Sequence, residues 1–488
     1  MIMDCFQATC AANGELLPGE FAEAPANQID AACERAADAA LELRELSPEQ
    51  LSEFLSAVAA EVRSRRSEIV ARCELETGYI NARVEGEFDR ATGQLDLFAR
   101  LAVERPWDRV TSEPADPARK PFPKPRMTRR FVPVGPIAVF GACNFPLAIS
   151  VVGNDFVSAI ATGNPVIVKS HPSHPGTCEL LGDTVKEVVK RMGFPAGTFD
   201  LFHGRSPETS IRLISHPAIS AVGFTGSPQG GRALAKAVLE RENPIPIFAE
   251  LGSTNPVFIG RDAMAARVGT IAEGFAASLR FGNGHMCTKP GVVIVHEADA
   301  DAFVEATCKT FAKQPNLPML SGPVADAFDR GIEQLQSAAD VEQLFVAEGL
   351  DGEGPWHRGA HWFAMSAETA IRDGWLHSET FGPVSVLVRC PDEETMLRVA
   401  GEFHGSLTTT LHTETSDNDF AIDWLKVSER FAGRIILNGW PTGMEIGAAT
   451  QHGGPFPASL DGRSTSVGHA SLDRFVRPIC YQNWPESL

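Results

Sequence analysis

The stretch FVPVGPIAVFGACNFPLAISVVGNDFVSAIATGNPVIVKS, Phe131 to Ser170, decides the fold. Its first 24 residues, to Asn154, carry no charge, and length alone would permit a membrane span. Pro133, Pro136 and Pro146 interrupt that run and Asn144 sits near its middle, so it reads instead as a buried strand entering a turn and a helix. FVPVGPIAVFG gives the strand, GNDFVSAIATG the helix and PVIVKS a second apolar strand. The alternation continues through helical TCELLGDTVKEVVKRMG to short strands around FDLFHG and ISAVGFTGS. This pattern predicts an α/β fold with a parallel sheet, whose ligands bind beyond the carboxyl ends of the strands.

Towards the N-terminus, Asn27 to about Glu104 is helical. SPEQLSEFLSAV opens with a Ser-Pro-Glu start and places Leu51, Phe54, Leu55 and Val58 on one face. The region reads as a scaffold without chemistry. Between Pro106 and Arg130, five prolines among basic residues read as a connector or protruding arm. Towards the C-terminus, Pro246 to Ile259 supplies a strand pair, and helical AARVGTIAEGFAASLRFG leads to a strand resuming at Val292, within which a new domain begins. NGWPTGMEIGAATQHGGPFPASLDGRSTSVG reads as ordered loops plus a short arm.

A chain of 488 residues suits about 3 domains at roughly 150 residues each. Its 43% hydrophobic and 22% charged residues exclude disordered and coiled-coil classes. The net charge of -19 argues against a nucleic-acid or membrane-surface partner. Ten cysteines without close metal-ligand pairing read as thiols in a reducing compartment, with no metal expected. The start MIMDCFQATC has no signal or transit pattern, so a cytoplasmic location is expected.

Cys287 lies in GNGHMCTKPG between a helix and a strand, where Gly282, Gly284 and Gly291 permit close approach of a ligand. Position alone leaves it open between a nucleophile and an inert thiol. Read singly, Asn144 fits a turn or cap, Glu250 an ion-paired carboxylate, and GFTGSPQGG a strand-to-helix turn.

Together the motifs resemble the aldehyde dehydrogenase superfamily. GHMCTKPG resembles its catalytic cysteine motif, FAELGSTNP its glutamate motif and ACNFP its asparagine motif. IVKS resembles its cofactor-lysine strand, GFTGS its dinucleotide loop and ETFGP its second cofactor motif. They occur in the family's order between residues 142 and 383. VKSHPSHPGT, GEFDRATGQLDLFA, QHGGPFPASLDGRSTSVG and the tail RFVRPICYQNWPESL resemble the subgroup containing 2,5-dioxopentanoate (α-ketoglutaric semialdehyde) dehydrogenases and NADP-dependent fatty aldehyde dehydrogenases.

The resemblance implies an α/β aldehyde dehydrogenase fold. A Rossmann-like cofactor domain would take residues 1–105 and 131–252, an α/β catalytic domain 253–445, and an oligomerisation arm and C-terminal segment 106–130 and 446–488, in a homodimer or homotetramer. It implies Cys287 as nucleophile, Asn144 as oxyanion donor and Glu250 as the base for water, its carboxyl pKa raised by the apolar setting IPIFAELG. Lys169, His171, Gly226, Ser227, Glu379 and Phe381 would hold the cofactor. Pro172 stands where NAD-preferring members often have glutamate, so NADP is expected over NAD. His285 replaces the usual glutamine before the cysteine and receives no role; Ser253 replaces a glycine. His452 is a candidate aid to proton transfer. Arg280, seven residues before Cys287, is the expected clamp for a substrate carboxylate. The implied reaction oxidises a small-molecule aldehyde, 2,5-dioxopentanoate to 2-oxoglutarate, with a fatty aldehyde as the alternative substrate and a noncatalytic dinucleotide-binding scaffold as the alternative class.

Overall fold

Ile137–Phe140 and Val166–Lys169 pair in parallel in the computed structural model of the chain, Ile137 opposite Val166 and Phe140 opposite Lys169. The structure describes residues 5–348, 354–415 and 418–485; the first four residues and the last three of the tail motif lie outside it. The uncharged run is thus divided, and FVPVGPIAVFG is two strands, not the one expected: Phe131 to Pro133 end the antiparallel strand Met127–Pro133, and Ile137–Phe140 is the buried parallel strand. After a turn the buried helix Asn154–Ala161 starts at the run's last residue. Among the described residues no helix is long and apolar enough to cross a membrane.

Five parallel strands form the first sheet in the order Phe199–Phe202, Val166–Lys169, Ile137–Phe140, Ala221–Thr225, Ile247–Glu250. Its strands are apolar on both faces because both faces are covered. Ile137, Val139, Val166 and Val168 pack with Phe54, Phe88 and Phe156, while Ala138, Phe140 and Ile167 face Ile29, Leu213 and Leu234. The chain lays strands first to one side of Ile137–Phe140 and then to the other. That reversal opens a crevice beyond the carboxyl ends of Ile137–Phe140 and Ala221–Thr225, where such sheets bind ligands.

The Ser-Pro-Glu-Gln start forms a capping box. Ser47 Oγ accepts from the Gln50 N–H and Gln50 Oε1 from the Ser47 N–H, and helix Pro48–Ser64 buries Leu51, Phe54, Leu55 and Val58 as the spacing predicts. A second sheet runs Glu342–Val346, His361–Ser366, Val384–Cys390, Val292–His296, Val257–Ile259, Ser406–His412, Ala432–Leu437; all its neighbours are parallel except the first pair. Thr111–Glu113, Met127–Pro133 and Val476–Gln482 make a separate antiparallel sheet with a largely exposed outer strand. Between Asn438 and Gly468 there is no regular element, and this loop folds back onto the end of the first sheet: Leu251 N–H donates to Ala458 O at 2.8 Å and Leu460 N–H to Ala249 O at 3.0 Å.

Candidate active site

Glu250 is the last residue of strand Ile247–Glu250, at the carboxyl edge of the first sheet. Cys287 follows helix Arg261–Arg280 and precedes strand Val292–His296 of the second. The chain reverses between them through Gly282, Asn283 and Gly284, all at positive φ, and a side chain on Gly284 would strike the Gly382 backbone. The returning loop then brings His452 between the two. Its Nε2 lies 3.4 Å from Cys287 Sγ and 3.0 Å from Glu250 Oε1.

Glu250 and His452 are buried at 3% and 1% exposure, so these contacts are made away from bulk water. Ser466 Oγ donates to Glu250 Oε2 at 2.6 Å, while Oε1 is left without a hydrogen-bond donor and the His452 contact is an electrostatic one. Burial pushes the Glu250 carboxyl up, as its apolar strand predicts, but the His452 ring, the Ser466 hydroxyl and the Cys287 thiol outweigh it. Its pKa therefore falls below the ordinary value. This corrects the expectation of a raised one, and the cause is partners delivered from the far end of the chain. Cys287 goes the other way: burial first, and then the Glu250 charge, push its thiol well above the usual range. A thiol at rest beside an ionised carboxylate and an imidazole needs one of them to take its proton.

The Asn144 amide Nδ2 donates to His285 O at 2.9 Å, so it is held against the cysteine loop. The Asn144 carbonyl accepts from Tyr79 Oη at 3.2 Å and Arg83 Nη2 at 3.4 Å. Glu87 secures the following turn, accepting the Leu147 and Ala148 N–H groups at 2.8 and 3.0 Å and pairing with Arg83 Nη1 at 2.7 Å. His285 is fully buried with neither ring nitrogen partnered; burial pushes its pKa down to about 3, and its neutral ring packs 5.2 Å from that of Phe381.

Beside the thiol lies a cavity of about 280 Å3, walled by Cys287, His452, Phe145, Met444, Arg90 and Arg434 among others. Arg280 does not line it. The reversal at Gly282–Gly284 leaves the Arg280 side chain behind, buried, with Nη2 donating to Pro315 O. The expectation of Arg280 as a clamp is thus corrected: proximity in sequence did not survive the turn. Helix Asn81–Glu104 is likewise more than scaffold, since it supplies Arg83, Glu87 and Arg90. A signal existed in the polar stripe Arg83, Glu87, Arg90 and Gln94, which recurs at helical spacing on a face otherwise rich in apolar residues.

Of the residues expected to hold the cofactor, Lys169 ends one strand of the first sheet, His171 follows it, and Gly226 and Ser227 follow the end of Ala221–Thr225. Lys169 ends its strand with no hydrogen bond to the described residues, and burial lowers its ammonium to about 8. His171 stacks on His174 at 5.4 Å, and burial, His174 and Lys169 keep it neutral. The Gly226 N–H is already taken by Glu250 O at 3.1 Å, and Ser227 Oγ caps helix Pro228–Leu239 through Gly230. Glu379 accepts from the Ser253 N–H at 3.1 Å, and a side chain on Gly252 would collide with its carboxylate. Burial raises the Glu379 pKa against the nearby Lys289, whose Nζ donates to Thr380 O and Val384 O at 2.8 and 2.9 Å. Sequence reasoning missed Lys289, and also Arg205, which lines the same cleft as Pro172 and Ser173. An unpartnered ammonium, a buried carboxylate and a sheet-order reversal suit a pyridine dinucleotide. The Cys287, Glu250 and His452 ligand atoms also lie within 4.8 Å of one another.

Comparison with known proteins gives one consistent picture. The model of the Aldehyde dehydrogenase family matches residues 4–477. The chain is 40% identical to alpha-ketoglutaric semialdehyde dehydrogenase 2 of Azospirillum brasilense over 469 residues, 96% of this chain and 89% of that one. It is 37% identical over 472 residues to alpha-ketoglutaric semialdehyde dehydrogenase of Acinetobacter baylyi, with the same coverage of 96% and 89%. Among solved structures it shares the fold of 3,6-anhydro-L-galactose dehydrogenase in complex with NAP, with TM-score 0.84, 18% identity and coverage of 98% and 96%. It also shares that of a 1-pyrroline-5-carboxylate dehydrogenase from Thermus with bound NAD, with TM-score 0.84, 22% identity and coverage of 98% and 90%.

Proposed function

The chain belongs to the aldehyde dehydrogenase family, and from that premise we propose that Cys287, Glu250, Asn144 and His452 oxidise an acid semialdehyde, 2,5-dioxopentanoate, to 2-oxoglutarate. The reaction class is NAD(P)-dependent oxidation of an aldehyde to a carboxylic acid through a cysteine. The observation that carries the residue assignment is the meeting of Cys287 Sγ, His452 Nε2 and Glu250 Oε1 beside a cavity that Cys287 and His452 line.

The thiol gives its proton to the adjacent base, and the sulfur adds to the aldehyde carbon to form a thiohemiacetal. Charge developing on the former carbonyl oxygen is met by the Asn144 amide and the Cys287 backbone N–H. NAD(P)+, which Lys169, Glu379 and Phe381 would hold, would supply the hydride acceptor for oxidation to the thioester level on Cys287. Glu250 Oε1, ionised and without a donor, then takes the proton of the attacking water, while Ser466 fixes the other carboxylate oxygen. His452, touching both sulfur and carboxylate, is the adjacent base that takes the thiol's proton in the first step.

The relatives' substrate supports the semialdehyde over a fatty aldehyde, and so does a small cavity with two guanidiniums in its wall. An assembled nucleophile, base and oxyanion donor disfavour a noncatalytic scaffold. For the cofactor we propose NADP over NAD: Arg205 lines a cleft with Pro172, which brings no carboxylate at its own position, and Lys169 ends the strand just before it; Glu20 also lines that cleft. Lys169, Glu379 and Phe381 hold the dinucleotide; His171, Gly226 and Ser227 shape the crevice. Residues 1–105 and 131–252 form the cofactor domain and 253–445 the catalytic domain. Segments 106–130 and 446–488 are the oligomerisation arm and C-terminal segment of a homodimer or homotetramer, the arm formed around the exposed strand Val476–Gln482 and the loop before it serving the active site. The protein works in the cytoplasm, where Cys287 stays reduced.

The test is cofactor reduction by purified protein with 2,5-dioxopentanoate, succinate semialdehyde and aliphatic aldehydes of increasing length, each with NAD and NADP. The expected outcome is the highest kcat/KM for 2,5-dioxopentanoate with NADP. Preference for long aliphatic aldehydes overturns the substrate, and a tenfold preference for NAD overturns the cofactor.

A further inference from the structure

Arg90 is a half-buried cation with no hydrogen-bond or ion-pair partner among the described residues. Its Nε and Nη2 are shielded from solvent and donate to no acceptor among those residues. The acids near it are already committed. Glu87 is held by Arg83 and two backbone N–H groups, and Glu250 by Ser466 and His452. What Arg90 does have is a wall position in the cavity that holds Cys287, with its guanidinium 5.6 Å from the centre of the Phe145 ring. Guanidinium nitrogens taken from water without an acceptor are disfavoured, and the Phe145 ring offsets that only in part.

Arg434 enters the same cavity from the second sheet. Its Nη1 and Nη2 donate to Gly443 O at 3.0 Å and Pro441 O at 2.6 Å, which fixes the guanidinium in place, while Nε is buried without an acceptor. Each Nη carries a second N–H. Two guanidiniums from different elements, one with donors unengaged and one anchored, thus line the cavity that holds Cys287. The whole chain carries a charge of -19, so an anion is attracted here by these two groups and not by the protein's overall field.

We propose that Arg90 and Arg434 clamp the carboxylate at the end of the substrate remote from the aldehyde, and thereby set the enzyme's specificity for short ω-semialdehyde acids. This rests on the proposed function and adds the groups that read the substrate's charge. The carboxylate supplies the acceptors that Arg90 Nε and Nη2 lack, in the paired geometry that guanidinium and carboxylate share. An alkyl chain would leave Arg90 Nε and Nη2 and Arg434 Nε without acceptors, which is how the site rejects neutral aldehydes.

The experiment measures kcat/KM with NADP for 2,5-dioxopentanoate and for pentanal in the wild type, Arg90→Met, Arg90→Lys and Arg434→Met. The ratio of acidic to neutral substrate should fall at least about 30-fold in Arg90→Met, about 2 kcal/mol, mainly through KM, with Arg90→Lys intermediate. In parallel, glutarate should protect wild-type Cys287 from iodoacetamide without cofactor, and this protection should be lost in Arg90→Met. A ratio within threefold of wild type, or glutarate protection equal in both proteins, overturns the clamp. Equal loss on both aldehydes with an altered pH profile of alkylation also overturns it, by showing that Arg90 serves the thiol. Should Arg90→Met fail to fold by thermal melting, Arg434→Met and glutarate protection of the wild type decide. A wild type that prefers pentanal defeats the substrate reading itself, which the variants' ratio does not address.

Discussion

Replacing Glu87 with Gln should damage both stability and catalysis, although Glu87 touches neither substrate nor thiol. Its side chain is 1% exposed and that of Arg83 9%, so their 2.7 Å pair is a buried one. Breaking a buried pair by removing one charge costs about 3–5 kcal/mol, because the other charge is left uncompensated. Here Arg83 keeps some support from the Asn144 carbonyl and from the faces of Tyr79, Phe145 and Phe281, which places the loss near the lower end, about 3 kcal/mol. The same carboxylate accepts two N–H groups of the turn that follows Asn144, and an amide in its place holds them more weakly. The oxyanion donor then loses its fixed position, and a displacement of about 1 Å is enough for roughly a 100-fold fall in kcat. Urea unfolding gives the first quantity and steady-state oxidation of the aldehyde the second. A stability loss under about 1 kcal/mol together with kcat within threefold of wild type would refute the positioning role.

Three further outcomes follow from the site. Glu250→Gln should slow turnover by about 100- to 10,000-fold while a burst of reduced cofactor near one per chain persists, because the base is needed to hydrolyse the thioester; loss of the burst together with turnover would move Glu250 to the first step. Lys169 carries its proton below about 8 and loses it above, so the NADP-to-NAD ratio of kcat/KM should decline from about pH 7 to 9 and flatten in Lys169→Met; a ratio that rises with pH contradicts the assignment. Arg280→Met should cost about 1 kcal/mol in thermal or urea unfolding through the lost bond to Pro315 O and leave the acidic-to-neutral substrate ratio unaltered; a shifted ratio would return Arg280 to the substrate site.

The first sheet was legible from sequence because both its faces are buried, which turns Ile137–Phe140 and the first three residues of Val166–Lys169 into short apolar runs between helical periods. The catalytic motifs were legible by resemblance, and the returning loop brings His452 to the motif residues Cys287 and Glu250. What sequence did not convey is the environment assembled across distance. Glu250 sits in an apolar strand, yet Ser466 and His452 lower its pKa from a loop about 200 residues away. Arg280 was read by its nearness to Cys287, but three positive-φ residues turn the chain between them. Arg90 sits in a helix with a buried apolar face and meets the thiol only through the packing of that helix on the first sheet.

The most direct measurement is the mass of the Cys287 peptide from Glu250→Gln protein, acid-quenched after mixing with 2,5-dioxopentanoate and NADP. The predicted result is an increment on Cys287 equal to the product acid less water, the thioester awaiting hydrolysis. An unmodified Cys287, with cofactor nonetheless reduced or the acyl group carried on another residue, would contradict the assignment of Cys287 as nucleophile.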